Sequence, residues 1–175
     1  MRVLYVLVCG SPAARGVSEL VALAQAGRWD VCVLTTPDGR KFIDAAALEA
    51  QTGHPVRSTY KNPEEPDVLP APDALILAPA TVNTIDKWAA GIADTLPLGL
   101  LVEAYGKGLP IVALPVTTAQ MAAHPAFQDA VARLRGWGVT VLYGPDVVAL
   151  PSADSEDLSV NAIPWRLALE SLPNR

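Results

Sequence analysis

Five short, predominantly apolar runs, recurring about every 30 residues, constrain this chain more than any other feature of it. The first, residues 3–9, does not alternate apolar with polar as a half-exposed strand does, so both of its faces are covered. Residues 30–35, 73–78, 109–115 and 139–143 are read as the other four strands. Between them apolar residues fall at helical spacing: Val17, Leu20, Val21, Leu23 and Ala24 before Gly27, then Phe42, Ile43, Ala46, Ala47, Leu48 and Ala50 before Gly53. Further helices are expected over 83–95, over 98–105, and through Phe127, Val131 and Leu134 up to Gly136 or Gly138. Strand and helix in alternation predict an α/β fold: a doubly wound, Rossmann- or flavodoxin-like parallel sheet of about five strands, with right-handed crossovers and helices on both faces.

Hydrophobic residues make up 51% of the 175 and charged residues 18%, which excludes a disordered chain and suits a sheet buried on two sides. The length predicts one domain over 1–175, in which 144–175 form a C-terminal flap or tether and a short terminal helix entered at Pro164. A net charge of −5 without any Lys/Arg cluster argues against nucleic acid and anionic membrane, leaving small molecules or peptides as partners. Residues 3–9 are too short for a signal segment and no run reaches a membrane-spanning length, so a soluble, cytoplasmic protein is expected. Cys9 and Cys32 sit inside apolar runs with neither a CxxC nor a His-rich cluster nearby; they are read as buried thiols, and no metal site is expected. Residues 54–72 carry Pro55, Pro63, Pro66, Pro70 and Pro72 and are read as an irregular loop of the length that tends to be functional.

In a sheet of this kind ligands bind beyond the carboxyl ends of the strands. After the first strand, Gly10, Ser11 and the turn through Ala13 to Gly16 offer backbone N–H groups and a hydroxyl suited to a phosphate, although a Gly-Ser pair also makes an ordinary strand-to-helix turn. The spacing is neither GxGxxG nor GxxxxGK[ST], which disfavours a nicotinamide-dinucleotide site and a P-loop. Thr35 and Thr36 add two hydroxyls at the neighbouring strand end. Thr81, Asn83 and Thr84 crowd the turn after the third strand, more than one helix cap needs, and suit the edge of a polar heterocycle. Thr117, Thr118 and Gln120 close the rim after the fourth.

Pro79-Ala80-Thr81-Val82-Asn83-Thr84, followed by Lys87 and Gly91-Ile92-Ala93-Asp94, resembles the PASANT motif of the homo-oligomeric flavin-containing cysteine decarboxylases, whose relatives include phosphopantothenoylcysteine decarboxylase. Gly10 and Ser11 with Ala13 resemble that family's flavin-phosphate loop, Thr35 with Phe42 its second flavin-contacting segment, and Thr52 to Val56 its helix-ending turn. Residues 115–134, with Met121, His124, Pro125 and Gln128, resemble its PxMNxxM segment. The resemblance implies bound FMN, with its phosphate at Gly10, Ser11 and Thr35 and its ring near Phe42 and the turn through Thr81, Asn83 and Thr84; Ala13, Thr36, Pro79 and Ala80 join these as cofactor-binding candidates. It also implies a homo-oligomer, a trimer or a multiple of trimers, with the cofactor at a subunit interface.

Three departures bear on activity. The family's active-site His falls at Glu65, 14 residues before Pro79. Glu65 or its neighbour Asp67 would serve as a base only with a pKa raised beside an apolar flavin. The substrate-carboxylate-binding Asn falls at Thr118, and no Cys occurs in 144–163, where pantothenate-pathway members carry one in a flap. Asn83, Thr118 and Glu65 are therefore the candidate catalytic residues. The leading expectation is an FMN-dependent decarboxylase or other redox enzyme. An inactive FMN-binding regulatory or partner subunit is the second expectation, and a flavin prenyltransferase-like protein the third.

Overall fold

The computed structural model describes residues 1–154 and 163–173. β1 (Arg2–Val8), β2 (Trp29–Thr35), β3 (Ala74–Ala80), β4 (Ile111–Pro115) and β5 (Thr140–Val141) form one sheet of order β2-β1-β3-β4-β5, parallel at every pairing. The helices are α1 (Val17–Ala26), α2 (Ala45–Thr52), α3 (Val82–Ala89), α4 (Leu96–Gly106), α5 (Ala119–Ala122), α6 (Pro125–Gly136) and α7 (Trp165–Glu170). This is the doubly wound α/β architecture the apolar runs predict.

The runs are continuous because the sheet has an interior on each side. Val3, Tyr5 and Leu7 of β1 face one layer, where Ile85 and Trp88 of α3, Leu101 of α4 and Phe127 of α6 cover them. Leu4, Val6 and Val8 face the other, against Leu20 and Val21 of α1, Leu48 of α2 and Trp165 of α7. Successive side chains of a strand alternate sides, so both sets must be apolar, and each large one fully buried contributes roughly 1.5–3 kcal/mol. Cys9 and Cys32 are buried free thiols, as expected.

Several boundaries differ from expectation, each for a local reason. α2 begins only after Asp44, whose carboxylate caps it by accepting the Ala47 amide at 3.0 Å; Phe42 closes a 3-10 turn (Gly39–Phe42) and Ile43 is extended. Both pack on the core beside α2, which is why they mimic its period. α3 stops at Ala89 rather than running to 95, because Gly91 turns the chain at φ +74°, and Thr95 then caps α4. β5 has two residues instead of five: the Arg135 guanidinium takes the carbonyls of Val141 (2.8 Å) and Tyr143 (2.6 Å) that a longer strand would expose. α5 is an addition, one turn capped by Thr118.

Residues 54–72 are irregular, as expected, but pinned. Arg57 pairs in parallel beside Leu34 on the outer edge of β2, accepting the Thr35 amide at 2.8 Å. The Tyr60 hydroxyl donates to the carbonyls of Ala93 and Thr95, and Tyr5 donates to that of Pro70. Of the expected C-terminal flap, residues 155–162 lie outside the described residues. The terminal helix α7 belongs to the core: Trp165 stacks over Gly16, and Ala168 and Leu172 are buried with it.

Candidate functional site

The strand order reverses direction between β1 and β3, and a crevice opens at the carboxyl ends of strands where that happens. Its floor is held by backbone bonds just beyond the strand ends: the Cys9 amide donates to Pro79 O at 3.1 Å and the Val116 amide to Ala80 O at 3.0 Å. Above this floor Gly10, Ser11 and Ala13 form one wall of a cavity of about 220 Å³. Thr81 and Val82 form the second wall, Thr117, Thr118 and Met121 the third, and Pro151 from the C-terminal segment leans over the rim. Two larger clefts, of about 430 and 440 Å³, lie at the opposite ends of β4 and β5 and beneath the 54–72 loop.

The turn after β1 is built for close approach. The Ser11 hydroxyl, nearly buried, accepts the Ala13 amide at 3.3 Å and caps a 3-10 turn (Pro12–Gly16). A side chain at Gly10 would stop 3.0 Å from Cβ of Asp38, and one at Gly39 would strike the Val8 carbonyl. Beside these glycines the Thr36 hydroxyl accepts the Gly39 amide at 3.0 Å, whereas Thr35 is wholly buried with no partner for its Oγ1. The glycines let the two turns pack backbone against backbone, and the orphaned Thr35 hydroxyl beside them fits a polar ligand group such as the phosphate that the resemblance implies.

The sequence-derived residues divide accordingly. Gly10, Ser11, Ala13, Thr81 and Thr118 converge on the cavity. Thr35, Thr36 and half-buried Phe42 stand behind the β1 turn rather than in the cavity wall. Pro79 and Ala80 end β3 in the core, with the Ala78–Pro79 peptide cis. Asn83 is exposed at the second residue of α3, and Thr84 points inward, 2% exposed. Val116 and Pro151 line the cavity without having been singled out; being apolar, they carried no chemical signal. Gly39 was also missed, although the Asp38-Gly39 pair is a turn signature.

Glu65 does not have the environment of a base. Its carboxylate accepts the side-chain amide of Asn62 at 2.8 Å and the Asn62 backbone amide at 3.1 Å, which hold its pKa below the usual range. Lys61 does the same for Asp67, at 2.9 Å. These shifts are opposite to the upward one that proton abstraction at either position requires. The Thr118 hydroxyl accepts the Met121 amide at 3.3 Å and keeps its own hydrogen to donate. The carboxyl group of Asp86 on α3 is pushed up by desolvation; one of its oxygens is buried without a partner, with His124 opposing the shift.

Among the described residues no group of three or more His, Cys, Asp or Glu is placed to hold a metal ion, and no helix is long and apolar enough to cross a membrane.

A family model described as Flavoprotein matches residues 1–163. The coenzyme A biosynthesis bifunctional protein CoaBC of Mycolicibacterium smegmatis is 32% identical over 150 residues, covering 83% of this chain and 35% of that protein. The chain thus spans about a third of the length of the curated relatives it matches. The crystal structure of SpaF, an FMN-dependent cysteine decarboxylase, superposes with a TM-score of 0.70 at 28% identity, covering 81% of this chain and 83% of that one. The epidermin biosynthesis protein EpiD from Staphylococcus aureus superposes with a TM-score of 0.66 at 29% identity, covering 81% of each chain.

Proposed function

This chain belongs to the Flavoprotein family, and from that premise we propose that it binds FMN at the β1/β3 crevice. In this reading it acts as a decarboxylase-like flavoenzyme on a peptide or small molecule ending in a cysteine carboxylate. The observation that carries the reading is the convergence of Gly10, Ser11, Thr81 and Thr118 on one cavity at the switch point of the sheet. When bound, the flavin is a two-electron acceptor, the chemistry a cysteine side chain requires before its neighbouring carboxylate leaves as carbon dioxide.

The chain's own residues would bind and orient. The Ser11 hydroxyl and the amides around Gly10 meet the phosphate, with the buried Thr35 hydroxyl as a further partner. Phe42, half-buried, and the turn through Thr81 and Asn83 hold the ring. Thr118 donates its hydroxyl hydrogen to the substrate carboxylate, one bond where an amide would offer two.

A homo-oligomer, a trimer or a multiple of trimers in the cytoplasm, completes the proposal. Ligand pockets commonly enclose about 300–1,000 Å³, and the 220 Å³ that one chain encloses falls short of that. Exposed Met121 stands at the rim, where a second copy would extend the wall.

A second reading, an FMN-binding subunit without decarboxylase activity, is favoured by the lowered pKa of Glu65, which leaves a weak base where the decarboxylases carry His. One experiment separates the two. The purified protein is examined for a flavin spectrum, then mixed anaerobically with cysteine-ended peptides while flavin absorbance and peptide mass are followed. Bleaching with loss of carbon dioxide supports the enzyme; a yellow protein that does neither supports the binding subunit. Colourless protein that refuses added FMN overturns both.

A further inference from the structure

The cleft beneath the 54–72 loop has a volume of about 440 Å³ and shares no lining residue with the crevice at β1 and β3. Tyr5 of β1, Leu34 of β2 and Leu75 of β3 form its floor, and Leu100 and Ala104 of α4 with Leu69 of the loop form its sides. The loop is a fastened wall. Its Tyr60 hydroxyl bonds to the carbonyls of Ala93 at 3.2 Å and Thr95 at 3.1 Å, so close to α4 that a Cβ at Gly99 would come within 2.0 Å of it. Pro70 O accepts the Tyr5 hydroxyl at 2.8 Å, and Glu65 O accepts Lys61 Nζ at 2.7 Å.

Five charged side chains line the cleft: Arg57, Lys61 and Lys107 against Asp67 and Glu103. Lys61 pairs with Asp67 at 2.9 Å, and Lys107 with Glu103 one turn back along α4. Arg57 is the cation left over. It pairs with no carboxylate among the described residues, and its guanidinium donates to a neutral acceptor, Thr59 O, at 3.3 Å. Asp67 feels its charge but is already engaged by Lys61. Burial pushes the Tyr5 phenol up to about 12, against the pull of Arg57, so the floor carries no negative charge at neutral pH. Arg57 is also fixed in place, because its backbone carbonyl accepts the Thr35 amide at 2.8 Å beside β2.

We propose that this cleft is a second ligand site, which takes a monocarboxylate with an aliphatic body: the carboxylate on Arg57, the body on Leu34, Leu75 and Leu100. A guanidinium presents a planar fork of N–H donors that matches a carboxylate, and an apolar cleft of this size encloses a small ligand. The charge count sets the ligand's valence. One uncompensated cation is neutralised by one negative charge, and a second charge on the ligand would have to lie against leucine. The site is independent of the FMN reading, since the two share no residue.

The test is calorimetric titration of the protein with octanoate, octanol and octanedioate, with hydrogen exchange read by mass spectrometry to locate the bound acid. Octanoate is expected to bind saturably with a Kd below about 1 mM and to slow exchange in residues 57–72 and α4, whether FMN is present or absent. Octanol, with no charge, and octanedioate, with two, are each expected to bind at least about tenfold more weakly, the worth of a charge-assisted hydrogen bond. Arg57→Gln should weaken octanoate by the same factor and leave octanol unchanged; where that variant does not fold, the three ligands on the parent protein decide the matter. Equal binding of octanoate and octanol overturns the proposal, leaving only an apolar groove, and protection centred on Gly10, Ser11 and Thr81 overturns it in favour of the other crevice. No saturable binding, with exchange in residues 57–72 slowing as protein concentration rises, overturns it by assigning the cleft to a second copy of the chain. A protein that binds octanoate but no FMN would sink the cofactor reading and leave this one standing.

Discussion

The carbonyl oxygen of Val8 lies so close to Gly39 that a Cβ built on the glycine would come within 2.5 Å of it. The same oxygen accepts the Thr36 amide at 2.9 Å, and the Gly39 amide donates to the Thr36 hydroxyl. The turns after β1 and β2 are thus interlocked at the level of the backbone, immediately behind Gly10. Gly39 is required here for close approach.

Gly39→Ala must therefore push the two turns apart. The expected loss is about 1–3 kcal/mol of stability, the usual cost of overpacking, read from urea denaturation, together with weaker FMN binding. Gly106→Ala is the control: nothing lies within 4 Å of its Cβ position at the end of α4. It should change stability by less than about 0.5 kcal/mol. Equal effects at the two glycines would refute the interlock.

Thr35→Val exchanges the orphaned buried hydroxyl for a methyl group of the same shape. In cofactor-free protein this removes an unsatisfied polar atom and should raise stability by about 1 kcal/mol. FMN binding should weaken if that hydroxyl serves the phosphate. Thermal melts with and without FMN measure both signs, and a variant destabilised without cofactor would show that Thr35 already has a partner.

Asp86→Asn should be more stable than the parent at neutral pH. The folded chain holds the Asp86 proton to higher pH than the unfolded chain does. The stability it contributes is complete below the ordinary Asp value of 3.8 and is lost as pH rises through the raised folded value. The variant carries no charge to desolvate and escapes that loss, and its advantage should vanish below pH 3.8. The neighbouring His124 opposes the shift and so reduces the advantage. Urea midpoints on either side of that pH check the crossing; an advantage independent of pH would assign the gain to packing.

Gln120→Ala should release the start of the C-terminal segment. The Gln120 side chain donates to Ser152 Oγ at 2.9 Å and accepts the Ala153 amide at 2.7 Å, beside the Ala119 amide bond to Pro151 O. Faster hydrogen exchange at Ala153, with stability within about 0.5 kcal/mol of the parent, is expected. Unchanged exchange would mean that Pro151 is held over the cavity by other contacts.

The order of elements and the two-sided burial were legible because they rest on local pattern: an apolar run is visible whether or not its neighbours are known. Boundaries set by one side chain were not. Arg135 shortens β5 by reaching the carbonyls of Val141 and Tyr143, and nothing in the periodicity of residues 139–143 announces it. At the site, Ser11, Thr81 and Thr118 were legible as clustered hydroxyls at strand ends, but their division of labour was not. Thr84 looks like its neighbours in sequence and turns inward to Cys9, 75 residues away, while Gly39 owes its place to Val8. Glu65 reads as a possible base only until Asn62 is seen to lower its pKa and so weaken it as a proton acceptor.

The reversal of strand order at β1 and β3 also sets the sequence of assembly. β1 meets β2 across 27 residues, from Arg2 to Trp29, but meets β3 across 70, from Leu4 to Ala74. Closing the longer loop costs about 0.8 kcal/mol more in chain entropy, so the first βαβ unit zips early and the central pairing late. The cavity takes Gly10 and Ser11 from the early half and Thr81 and Thr118 from the late one. It exists only once the slow pairing is made, and a partial opening at that seam dissolves the cavity while the early half stands. A ligand bound there is a clasp across the seam, and its release rate reports the breathing of the central strands as much as the strength of its own contacts.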